Sequence, residues 1–62
     1  MDKLAFTVEE VADLLSIGRS KVFELLRTGQ LGSVKLGHRR VITQLDLDEF
    51  IADMRADARA AG

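Results

Sequence analysis

The stretch VADLLSIGRSKVFELLRTG, residues 11–29, decides how this chain folds. Its first half places Val11, Ala12 and Leu15 at helical spacing, with Val8 just upstream completing an i, i+3, i+4, i+7 stripe. Its second half places Val22, Leu25 and Leu26 on one face of another helix, roughly Arg19 to Thr28. Gly29 then stands where a left-handed helix end favours glycine. Between the two stripes lie Ser16-Ile17-Gly18, enough for a tight turn and little else, with Ile17 turned inward. Upstream, Thr7 and Glu10 form a capping box: the hydroxyl accepts from the N3 amide, and the glutamate reaches back to the cap amide. Glu9 and Glu10 also suit the positive end of the helix dipole. Phe6, just before the cap, is positioned to staple onto Val11. Ala12 is small enough to let the second helix pack closely across the first. Two helices joined this way read as a helix-turn-helix.

Beyond Gly29 the period changes. Val34-Lys35-Leu36 and Arg40-Val41-Ile42 are two short extended arms, and Gly37-His38-Arg39 between them can turn. So small a hairpin needs helices to pack on. Thr43 opens a third helix, with Asp46 at N3 as a shorter capping box. Leu47, Phe50, Ile51 and Met54 supply its apolar face to about Arg59. The expected fold is therefore mainly α with a small β-hairpin, a winged helix-turn-helix in the order helix, turn, helix, hairpin, helix. The expected core is Val11, Leu15, Ile17, Val22, Leu26, Leu31, Leu36, Ile42, Leu47, Phe50 and Ile51.

Length and composition narrow the function. Sixty-two residues make a single domain over 1–62, burying about 60% of the surface its unfolded chain exposes. Its core is expected over 6–55, and the Ala-rich end, 56–62, either frays or extends the last helix. There is no cysteine and one histidine, so neither a disulfide nor a multi-ligand metal site is expected. Apolar runs stop at two or three residues, too short for a membrane span or a signal peptide. The expectation is a cytoplasmic protein without cofactor, metal, small-molecule substrate or catalytic activity. His38 has no carboxylate or nucleophile specified near it, and a solvent-exposed turn residue is an equally open reading.

Charge is segregated. Residues 1–15 carry Asp2, Glu9, Glu10 and Asp13 against Lys3, net −3. Residues 16–42 carry Arg19, Lys21, Arg27, Lys35, Arg39 and Arg40 against Glu24, net +5. Residues 43–62 return to net −3, giving the chain its overall −1. Such a run is either a solvated face or a basic surface with an acidic back. The second helix would present Arg19, Ser20, Lys21, Glu24 and Arg27 to a DNA major groove. Arg19 suits guanine O6 and N7, and Ser20 suits base edges or phosphate. Lys21 and Arg27 suit phosphates. A plain αα-hairpin whose polar residues face water fits the helices alone. The wing, with Lys35, Gly37, His38, Arg39 and Arg40, favours the DNA reading: cations at a loop tip do little for folding and suit phosphates or a minor groove.

At these residues the chain resembles a known family. TVEEVADLL (7–15), the S-x-V-F-x-L-L-x-x-G pattern (20–29), VKLG (34–37), Arg39-Arg40 and DLDEFI (46–51) together look like the excisionase-type winged helix-turn-helix proteins of phages and mobile elements. They are also similar to MerR-type DNA-binding modules. The resemblance covers Thr7 to Ile51. Ser16 replaces a frequent glycine, Gly18 a frequent serine or threonine cap, and Gly32 and Thr43 stand where relatives often carry proline. These departures leave the start of the second helix open. The resemblance implies binding to repeated sites on double-stranded DNA, self-association along it, DNA bending, and partnership with an integrase or recombinase that is driven toward excision. A small MerR-related transcription regulator is the close alternative. A protein-interaction module of terminase or antitoxin type is the more distant one.

Overall fold

The structure, a computed structural model, describes residues 4–61. It comprises β1 (Ala5–Phe6), α1 (Val8–Leu15), α2 (Arg19–Arg27), β2 (Val34–Leu36), β3 (Arg39–Thr43) and α3 (Gln44–Ala61). This is a winged helix-turn-helix.

The helix boundaries follow from local chemistry. Thr7 caps α1 as expected: its Oγ1 accepts from the Glu10 amide at 3.2 Å, and Glu10 Oε1 accepts from the Thr7 amide at 2.9 Å. Ser16 ends α1 in the left-handed region, at φ 57° and ψ 42°. Its amide donates to Asp13 O at 3.2 Å, and the Ile17 amide donates to Ala12 O at 3.0 Å. That pair is a Schellman closure. It turns Ile17 back onto the core that holds Ala12. Gly18 then caps α2 in extended conformation without a side-chain hydrogen bond, which fixes the helix start at Arg19. α2 ends at Arg27, one residue before the expected Thr28. Thr28 is its cap and returns its hydroxyl to Glu24 O at 3.0 Å. Gly29 has φ +80°, as a left-handed exit requires.

The sheet is larger than the sequence predicts. β2 pairs antiparallel with β3 in the register Val34↔Val41, Lys35↔Arg40 and Leu36↔Arg39. The turn is therefore Gly37-His38, with Gly37 at φ +61°. Arg39 belongs to the strand and not to the turn, a correction to the three-residue loop expected there. β1 adds a third strand through Ala5↔Thr43 and Phe6↔Ile42, in the order β1-β3-β2. Two residues carry no period, so sequence pattern does not announce β1.

At the end of β3, Thr43 caps α3. Its amide and hydroxyl donate to Asp46 Oδ2 at 3.0 and 2.9 Å, and its Oγ1 faces the Asp46 amide at 3.1 Å. The Ala-rich end continues this helix. From Arg55 to Ala60 every side chain is exposed. No helix among the described residues is long and apolar enough to cross a membrane.

The core joins Val11, Ala12, Val22, Leu25, Leu31, Ile42, Leu47 and Phe50. Phe6, Val8, Leu15, Ile17, Leu26 and Met54 pack against it, partly buried. Two expected core residues lie outside. Leu36 is 60% exposed because it flanks the turn at the wing tip, beyond the helices. Ile51 is 41% exposed. The inward stripe of α3 runs Leu47, Phe50, Met54, and Ile51 stands about 100° around the helix from Phe50.

Candidate nucleic-acid interface

α2 is amphipathic, and its two faces have different tasks. Val22 and Leu25 are buried against the core, with Leu26 half-buried beside them. Arg19, Ser20, Lys21, Glu24 and Arg27 are all exposed, on the side away from that core. Lys21 Nζ lies 3.4 Å from Glu24 Oε2, and both side chains are about half exposed. An i, i+3 pair of this kind contributes only about 0.2–0.5 kcal/mol, so a phosphate oxygen can replace the carboxylate at small cost. The Arg19 guanidinium carbon sits 5.9 Å from the centroid of the Phe23 ring, one turn along the same face.

The wing divides its cations by register. Residues directly opposite in an antiparallel pair share a face, and neighbours along a strand alternate. Lys35 and Arg40 are therefore on one face, and Leu36, Arg39, Val34 and Val41 are on the other. Arg40 Nη1 donates to Ser33 Oγ at 3.2 Å. Arg40 also lines a groove with Val8, Phe23, Leu26 and Arg27, so its face of the wing turns toward α2. Arg39 lines a separate groove with Ala5, Phe6, Thr7, Glu10, Leu36 and Val41.

The structure thus gathers Arg19, Arg27 and Arg40 around Phe23, with Lys35 on the Arg40 side of the wing. Arg39 is set apart on the opposite face. Gly37 and His38 form the exposed tip between them. Two like charges directly across a strand pair destabilise a sheet, by about 0.2–1 kcal/mol. The fold therefore gains nothing from placing Lys35 against Arg40. Phe23 was not among the residues expected at this surface. Its signal was present, since i+4 from Arg19 and i−4 from Arg27 put it on the cationic face. Among the described residues no group of three or more His, Asp or Glu side chains is arranged to hold a metal ion.

Residues 5–55 match the model of a family described as a helix-turn-helix domain. An excisionase of Streptomyces ambofaciens is 49% identical over 53 residues, 84% of this chain and 84% of that protein. A probable excisionase of Saccharopolyspora erythraea is 35% identical over 60 residues, 97% of this chain. The chain spans 61% of the length of that relative. An uncharacterized protein of Bacillus subtilis (strain 168), YvgK, is 31% identical over 51 residues, of which this chain spans 17%. No solved structure matches. On the helix-turn-helix match and the two excisionase relatives together, the chain belongs to the excisionase-type helix-turn-helix family.

Proposed function

We propose that this protein is a DNA-binding excisionase that lays α2 in the major groove and sets the wing against the neighbouring phosphates. The observation that carries this reading is the convergence on Phe23 of Arg27 and Arg40, which line one groove with it, and of Arg19, whose guanidinium lies 5.9 Å from the ring centroid. The opposed Lys35 and Arg40, unfavourable for the sheet, support it further. In this docking Arg19 forks onto guanine, Ser20 meets a base edge or phosphate, and Lys21, Arg27, Lys35 and Arg40 hold phosphates. Glu24 trims the charge of Lys21 and is placed to accept from a cytosine amino group. Gly37 and His38 lead the wing tip, and Arg39 reaches DNA only along the outer side of the wing.

The protein acts without catalysis, in the bacterial host cytoplasm, by shaping DNA for an integrase. It binds repeated sites cooperatively, bends them, and shifts the integrase toward excision. The names of the two excisionase relatives support a role in excision. So does size: a module this small buries about 600–1,000 Å² on DNA, and neighbouring copies then supply the missing affinity. The acidic segments at either end suit contact with the basic middle of the next copy.

The test is fluorescence anisotropy on attachment-site DNA across a salt series. Four phosphate contacts predict a slope of log K against log salt of roughly −3.6. Tandem sites should bind more tightly per site than a single one. Binding indifferent to salt overturns the docking, and equal affinity per site overturns the cooperative assembly.

A further inference from the structure

Phe23 is half exposed, at 49%, in the middle of the cationic face. Isolated exposed apolar residues are ordinary on protein surfaces, and Leu4, Leu14, Val34, Leu36, Leu45 and Ile51 are others here. Phe23 differs from them in two ways. It is the aromatic residue of the set. It also stands between charges, with the Arg19 guanidinium 5.9 Å from its ring centroid and Arg27 and Arg40 beside it in one groove. It is not one of the core residues, although it lines a groove with Val8 and Leu26, which pack on that core. Contacts inside the fold account for the covered half of the ring and not for the half left among the cations.

Resting on the DNA-binding reading above, we propose that Phe23 determines specificity by reading a thymine methyl group beside the guanine forked by Arg19. Two properties of the ring produce this. Its face attracts the guanidinium, which restricts Arg19 to directions running along the groove-facing side of α2. Less freedom is then lost when the guanidinium forks onto guanine O6 and N7. The exposed edge of the ring is the apolar surface that a thymine C5-methyl packs against in the major groove. Four residues of helix rise about 6 Å, and bases along a strand are spaced about 3.4 Å. The thymine therefore lies within two base pairs of the guanine.

The experiment starts from a randomised duplex library selected with the wild-type protein. In the strongest selected duplex each thymine is replaced in turn by deoxyuridine, which lacks only the methyl, and each guanine by 7-deazaguanine, which lacks N7. Affinities are measured for wild type, Phe23→Ala and Phe23→Leu. The wild type should lose roughly fourfold at one thymine, the worth of one methyl-sized group removed from water. Phe23→Ala should be indifferent to that replacement. Phe23→Leu should still sense it, yet lose part of the response to 7-deazaguanine at the guanine nearby. Thermal melts should place both variants only slightly below wild type, Phe23→Ala lower than Phe23→Leu, because half of the ring is already exposed.

A selected site with no thymine within two base pairs of a sensitive guanine overturns the proposal. So does a thymine-to-deoxyuridine loss that persists undiminished in Phe23→Ala. Either result leaves DNA binding intact. Failure of the wild-type protein to enrich any duplex overturns the underlying reading instead.

Discussion

Ser16→Gly should stabilise this protein. Ser16 is the one non-glycine residue with positive φ among the described residues. At φ 57° and ψ 42° its Cβ is crowded by the following carbonyl. For an L residue that conformation costs about 1–2 kcal/mol. Glycine removes this strain but adds freedom to the unfolded chain, which returns about 0.4–1 kcal/mol. The net expected gain is about 0.5–1 kcal/mol. In a domain of this size that raises Tm by about 2–8 °C. The turn itself should not change, since its two bonds, Ser16 N–H to Asp13 O and Ile17 N–H to Ala12 O, are made by backbone. Circular dichroism melts and urea titrations measure the effect, with the urea midpoint rising and the m-value constant. Ser16→Ala is the control: it keeps the Cβ, so it keeps the strain and should stay near wild type. A Ser16→Gly melt at or below wild type, with unchanged m, would refute the reasoning, because it would mean that no left-handed strain exists to relieve.

Four further outcomes are expected. Gly37→Ala forces a side chain onto φ +61° at the wing turn, which should cost about 1 kcal/mol in a melt and weaken DNA binding. Gly32→Ala would bring a Cβ to 2.7 Å from Asp46 Oδ1, displacing the carboxylate that caps α3. It should cost about 1 kcal/mol alone and much less in an Asp46→Ala background, a non-additivity read by a double-mutant cycle. Gly18→Ser should gain a few tenths of a kcal/mol, since a Cβ there meets nothing within 4 Å and the serine can cap α2; a lower Tm would contradict the extended cap. Arg40→Ala should reduce the salt slope of DNA binding by about 1, and Arg39→Ala by less, because Arg39 leaves from the other side of the wing.

The first and third helices were legible because each start is written twice, once as a cap and once as a stripe; α2 has the stripe alone, since Gly18 offers no side-chain cap. Thr7 with Glu10, and Thr43 with Asp46, mark starts that the apolar periods confirm. The helix-turn-helix junction was legible although Ser16 stands where glycine is usual. The Schellman bonds need only backbone, and inward packing of Ile17 supports the turn whatever the side chain at Ser16. β1 was not legible, since two residues exhibit no alternation and their partner lies at Ile42 and Thr43, far along the chain. Ile51 lies off the core, at 41% exposure, for a related reason. Leu47, Phe50 and Ile51 all fit a helical stripe, and the geometry of β3 against α3 decides which edge of that stripe meets the core.

The proposed binding surface depends on a finer choice that composition cannot make. Arg39 and Arg40 are adjacent, equally cationic and equally exposed in the sequence, yet a strand sends them to opposite faces. Which one joins α2 is settled two residues later. Ile42 is fully buried against the helices, and Arg40, sharing its face of the strand, is carried to the same side. β1 holds that choice by pairing Phe6 with Ile42. A slip of one residue would exchange the two arginines. The strand that the sequence pattern hides is therefore part of what aims the wing. It gives the two-residue β1 a task beyond stability: keeping Arg40, with Lys35 opposite it, turned toward Arg27 and Phe23.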